Sequence, residues 1–123
     1  MSPTTARERA LEIAETLTGT GPVTVARFFG GAALLIGGLQ FGFVIKGVLY
    51  LRVDEASRLA FEAHGAEPFT YAGRSKKVTV ASYYEAPAAV VEDADALVRW
   101  AAVAQNAARA AARSATEAPL PVR

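Results

Sequence analysis

Residues 27–52 read RFFGGAALLIGGLQFGFVIKGVLYLR, and they constrain the fold more than any other part of the chain, because so apolar a ribbon must be hidden from water. Within it, residues 28–45 carry no charge, and a run of roughly 17 to 18 apolar residues is the shortest that spans a bilayer as a helix. Gly38 and Gly42 even have the spacing seen where membrane helices pack closely.

The period of the pattern argues otherwise. Leu39, Phe41, Phe43 and Ile45 alternate with Gln40, Gly42, Val44 and Lys46, which predicts a strand with those four bulky side chains on one buried face. A second alternating run places Leu49, Leu51 and Val53 on one face and Val48, Tyr50 and Arg52 on the other, after a break at Lys46 and Gly47, so the two runs read as a hairpin. The doublets Gly30-Gly31 and Gly37-Gly38 would each weaken a helix by about 1 kcal/mol per residue, whereas tight turns need the positive φ that glycine supplies. Burying the four bulky residues of the first run is worth roughly 6 to 12 kcal/mol gross, comparable with the net stability of a small domain. The stretch therefore reads as a β-meander in a soluble protein. Residues 1–19 carry Arg7, Glu8, Arg9, Glu12 and Glu15 and so lack the apolar core of an export signal, which makes the cytoplasm the expected location.

The rest of the chain reads as cover for this ribbon. Ala6, Ala10, Ile13, Ala14 and Leu17 form the apolar stripe of a helix over 5–18, ended by Gly19 and Gly21-Pro22. A first strand is expected over 23–29, bending at Gly30-Gly31 and continuing as 32–36; the meander adds strands over 39–45 and 48–53. Asp54 suits the N-cap of a middle helix containing Leu59 and Phe61 and ending at Gly65. A fourth strand over 69–71 and a fifth over 76–84 follow, the fifth with Val78, Val80, Ser82 and Tyr84 on one face and Lys77, Thr79, Ala81 and Tyr83 on the other. Pro87 opens a helical turn with Val90 and Val91. Asp93 then caps a long helix to about residue 113, whose inward residues are Leu97, Trp100, Ala101, Ala104, Ala108 and Ala111. The expected architecture is α+β in two layers: an antiparallel five-stranded sheet with N-terminal, middle and C-terminal helices packed on it. Residues 1–115 make a single domain and 116–123 a flexible tail, loosened by Pro119 and Pro121.

Composition narrows the chemistry. Thirteen basic against twelve acidic side chains create no global field for nucleic acid. The chain has no cysteine and one histidine, His64, so thiol nucleophiles, thiolate metal sites and paired imidazoles are all excluded. No catalytic, cofactor-binding or metal-ligating residue stands out. Gly30-Gly31 and Gly37-Gly38 do not make a phosphate loop, because neither opens a helix with the required lysine. His64 suits a helix C-terminus, and Glu92, Asp93 and Asp95 suit a helix start without any metal. Tyr50, Tyr71, Tyr83 and Tyr84 with Arg52, Arg74, Lys76 and Lys77 could stack single-stranded nucleic acid, but tyrosines on half-buried strands and charges on sheet edges are the plainer account. Arg74-Ser75-Lys76-Lys77 is a positive turn able to meet phosphate or an acidic partner, and Arg27 interrupts an apolar strand, so it needs a carboxylate or an exposed edge. The surface that emerges for interaction comprises Arg27, Tyr50, Arg52, Arg74, Lys76, Lys77 and Tyr83.

In order and spacing, several segments resemble the TfoX N-terminal domain family, named for the Sxy/TfoX regulators of bacterial natural competence. They are Arg27-Phe28-Phe29-Gly30-Gly31, the Gly37-Gly38 turn with Phe41, and residues 47–54 reading GVLYLRVD. Phe61, Gly65, Pro68-Phe69, Tyr71, Tyr83-Tyr84-Glu85, Pro87 and Trp100-Ala101 continue the match over about residues 11–108. Family members usually have Met-Phe-Gly-Gly where this chain has Phe28-Phe29-Gly30-Gly31, and Asp-Gly where it has Gly37-Gly38; both swaps keep bulk and turn. The resemblance implies a stand-alone N-terminal domain without the second, helical domain of full regulators. It also implies a non-enzymatic regulatory module that needs no cofactor and binds another protein, such as a transcription factor of the cyclic-AMP receptor type. The alternatives are a nucleic-acid-binding protein using the tyrosine and lysine face, and an uncharacterised small-ligand binder or enzyme. A homodimer through the long alanine helix or an exposed strand edge is expected as well.

Overall fold

The computed structural model describes residues 5–117. In chain order the elements are α1 (Ala6–Thr16), a 3₁₀ turn (Thr18–Thr20), β1 (Val23–Phe28), β2 (Gly31–Ile36), β3 (Leu39–Ile45), β4 (Val48–Arg52), α2 (Glu55–Ala63), β5 (Pro68–Ala72), β6 (Lys77–Glu85), α3 (Ala88–Val91) and α4 (Ala94–Glu117). The α+β class is as expected. No helix among the described residues is long and apolar enough to cross a membrane; the uncharged run instead supplies β2, β3 and the turn between them.

Local chemistry fixes the helix ends. Thr5 and Glu8 close a capping box on α1, with the Glu8 amide donating to the Thr5 hydroxyl and the Thr5 amide to the Glu8 carboxylate. Asp54 and Ser57 do the same for α2. That helix ends in a Schellman motif: Gly65 at φ 78°, its amide on the Glu62 carbonyl, and the Ala66 amide on Phe61. The Asp93 carboxylate accepts from the amides of Asp95 and Ala96 at the start of α4. Since α4 continues to Glu117, residues 116 and 117 are helical; the remainder of the expected tail, 118–123, lies outside the described residues.

The sheet has six antiparallel strands in the order β1-β2-β3-β4-β6-β5, rather than five. The extra strand arises where a bend was expected: Val23 pairs with Ile36 and Phe28 with Gly31, so residues 23–36 fold back as a hairpin. Its two-residue loop is Phe29 and Gly30, with Phe29 itself in the left-handed region at φ 53°. A phenylalanine in that conformation runs against its steric preference, which is why the sequence did not announce the turn. The next two turns, Gly37-Gly38 and Lys46-Gly47, have positive φ at both central residues, as a type I′ hairpin demands.

Two register shifts correct the expected faces. Leu34 pairs with Gly42 and Leu35 with Gln40, leaving Phe41 as an extra residue in β3. Leu39 and Phe41 consequently turn toward the helices, while Phe43 and Ile45 point to the opposite face, instead of all four sharing one. In β6, Tyr84 pairs with Pro68 but Val80 with Phe69, so Ala81, Ser82 and Tyr83 have no partner on β5. Val80 and Tyr83 end up together on the face away from the helices, and Tyr84 packs under the helices. Leu49, Leu51 and Val53 share one face, as expected, with Tyr50 on the other, and theirs is the face beneath the helices.

The described helices all pack on one face. The α1 stripe of Ala10, Ile13 and Ala14, extended by Leu17, is buried on β1 to β3, and α4 lies across β3 and β4. Phe61 of α2 meets Trp100 of α4 edge to face at 4.7 Å. The alanines Ala101, Ala104 and Ala108 are buried in this layer and let α4 approach the strands closely. Gln105 is buried too, and its amide donates to the Thr20 hydroxyl at 3.1 Å.

Candidate functional site

The face without helices has a core of its own. Ala33, Phe43, Phe69 and Tyr83 are buried there, with Phe28, Leu35, Ile45, Tyr50 and Val80 packed around them. Phe43 is the hub: its ring lies 4.6 Å from Phe28, 5.2 Å from Tyr50, and 5.0 Å from both Phe69 and Tyr83. A flat sheet would hold β3 and β5 about 14 Å apart, since two strands lie between them. The 5.0 Å contact of Phe43 with Phe69 therefore means that the sheet is curled, and the bulges in β3 and β6 supply the local bending. At the far side of the curl Phe29, on the β1–β2 loop, comes within 6.4 Å of Tyr71 on β5.

Between these edges runs a groove of about 740 Å³. Its walls include Phe29, Tyr50, Phe69 and Tyr71, and its charged lining residues are Lys46 and Lys77. Phe29 is 82% exposed and Tyr71 45%, so two large rings face solvent at its mouth. Burial raises the Tyr50 hydroxyl above its ordinary pKa, and the Glu85 carboxylate on the neighbouring strand adds to the shift, so Tyr50 remains a neutral hydrogen-bonding group.

The structure distributes the expected surface unevenly. Tyr50 and Lys77 line the groove. Tyr83 lies beneath it, buried, with its hydroxyl donating to the Gln40 carbonyl at 3.2 Å. The Arg52 guanidinium sits 5.6 Å from the centre of the Tyr83 ring, within cation–π range. Arg74 and Lys76 are exposed between β5 and β6, outside the lining. Arg27 is exposed on edge strand β1 and shares the alternation of Val23 and Val25, which pack on the helix side, so the fold separates it from the groove. Phe29 and Lys46 were not singled out from the sequence. Both occupy turn positions with left-handed backbone, and only the strand pairing brings them to one rim. His64 ends α2, with its Nδ1 3.0 Å from the Ala60 carbonyl and its ring edge to face with Trp100, a packing role. Among the described residues no cluster of three or more His, Asp or Glu side chains could hold a metal ion.

A family model for the TfoX N-terminal domain matches residues 15–108, from within α1 to within α4, and so takes in the whole sheet and the groove. No curated protein matches the chain.

Proposed function

We propose, from the premise that this chain belongs to the TfoX N-terminal domain family, that it is a regulatory module of the competence type that works in the cytoplasm by binding another protein, without catalysing a reaction. The partner that the family resemblance favours is a transcription factor of the cyclic-AMP receptor type. The observation that carries the reading is the aromatic groove on the sheet face that the helices leave bare, where Phe29 and Tyr71 expose their rings to water. Large apolar rings set together at a surface are commonly a contact for another macromolecule.

The geometry gives less support to direct nucleic-acid binding. Stacking on bases needs aromatic faces presented to solvent, but of the four tyrosines expected to stack, Tyr83 and Tyr84 are buried and Tyr50 is half-buried, leaving Tyr71 exposed, and Arg52 is already engaged with the Tyr83 ring. Titrating a purified cyclic-AMP receptor-type factor with the full chain, by calorimetry and sedimentation, tests the proposal. Saturable binding supports it; no association at high micromolar concentration removes it. A gel-shift series over salt on the same preparations would reveal direct DNA contact through a steep loss of binding.

A further inference from the structure

We infer that the groove takes an extended acidic peptide segment with apolar anchors, laid along the free edge of β5. This rests on the reading of the chain as a protein-binding module and names the chemistry of the segment bound. In the sheet order β5 is terminal and, among the described residues, pairs with β6 alone, so the other edge of its backbone offers amides and carbonyls to an added strand. Phe69 and Tyr71 line the groove with their rings, and Thr70 and Ala72, of the opposite alternation, line it too. The groove thus reaches the edge of β5 as well as its face. A strand added there would send alternate side chains toward Tyr50, Phe69 and Tyr71.

Charge selects the occupant. Among the described residues the lining carries Lys46 and Lys77 and no carboxylate; Glu85, paired with Tyr50, lies outside it. A second copy of this chain would be a poor fit, because its own free edges read VTVARF in β1 and PFTYA in β5, without an acidic residue between them. Acidic residues flanking an apolar centre would meet both ammonium groups while the centre packs on the rings.

The test uses the full ¹⁵N-labelled chain and a blocked peptide with paired glutamates at each end and a phenylalanine-valine-phenylalanine centre. Binding should shift the amides of Thr70, Tyr71 and Ala72 together with those near Lys46 and Lys77, and should weaken as salt screens the lysines. Methylating alternate peptide nitrogens on the edge facing β5 should cost about tenfold in affinity, while methylating the other set should change little. Combining Lys77→Glu with Lys46→Asn, which keeps a residue tolerant of left-handed backbone in the turn, should weaken binding by a similar factor without altering the rest of the amide spectrum. A lysine-flanked peptide that binds equally well, equal tolerance of both methylation patterns, or phenylpropionate binding as tightly as the peptide would each overturn the inference, the last pointing to a small-anion site. If the transcription factor binds the chain but the lysine variant binds it unchanged, this inference falls and the module reading stands; if the peptide binds as described and the factor does not, the competence-type reading falls and the peptide site stands.

Discussion

The Tyr84 hydroxyl of β6 donates a 2.7 Å hydrogen bond to the Glu62 carboxylate of α2, tying the middle helix to the sheet. Glu62 is also 3.9 Å from the Arg58 guanidinium one turn earlier, so one carboxylate serves the sheet and its own helix.

That bond raises the Tyr84 pKa above its ordinary value of 10.0, chiefly because the phenol must keep its proton to donate, with burial adding to the shift. A raised folded-state value gives stability that is complete below pH 10 and is lost as pH climbs through the folded value. Tyr84→Phe should cost about 1 kcal/mol at neutral pH, with Glu62 half exposed to water. Thermal melts from pH 7 to 11 should show the gap between variant and parent closing above about pH 10; a constant gap would mean the bond is not what stabilises.

Asp54 shows the opposite sign. The amide and hydroxyl of Ser57 hold its carboxyl below the ordinary 3.8, so its contribution is present above that pH and disappears as pH falls through the folded value. Asp54→Ala should cost about 1 kcal/mol near neutrality, and that cost should fade as pH falls through the folded value. Chemical denaturation at pH 7 and pH 2.5 checks both halves.

Gly30 and Gly31 are neighbours with different obligations. A methyl at Gly30 meets open space, but at Gly31 it would collide with the Val44 carbonyl of β3 and the Ile45 side chain. Gly30→Ala should therefore be close to neutral, and Gly31→Ala should lose about 1–3 kcal/mol by overpacking. Comparable melting temperatures for the two would refute the close approach of β2 and β3 described above.

Phe41 and Phe43 are two apart in one strand, fully buried, and in different cores. Phe41→Asp should abolish folding, since an unpaired charge would lie under the helices. Phe43→Ala should cost about 3–5 kcal/mol and, in addition, disturb the groove amides of Tyr50 and Phe69. Amide spectra of the alanine variants at both positions separate the cores: changes confined to the helix side for Phe43→Ala would show the faces to be misassigned.

Most of the architecture is legible from periodicity and capping chemistry. Asp54, Gly65 and Asp93 mark helix ends because each satisfies free backbone groups in one specific way, and the stripe from Ala10 to Leu17 admits one buried side. What sequence conceals is non-local. Whether Phe29 can take a left-handed turn depends on the β1–β2 pairing that rewards it, and alternation cannot reveal that Phe41 is an extra residue, since the bulge exists only relative to β2. Of the candidate surface, Tyr50 and Lys77 could be found from their residue types, whereas Phe29 and Lys46 join them only through the curl of the sheet.

The unpaired Phe41 divides one strand between two cores. By splicing β3 from two half-strands out of phase, it lets a single segment furnish the interior at one position and the outer bowl two positions later. A substitution at Phe43 is therefore felt among the outer rings and one at Phe41 beneath the helices, although the two side chains leave the backbone only two positions apart.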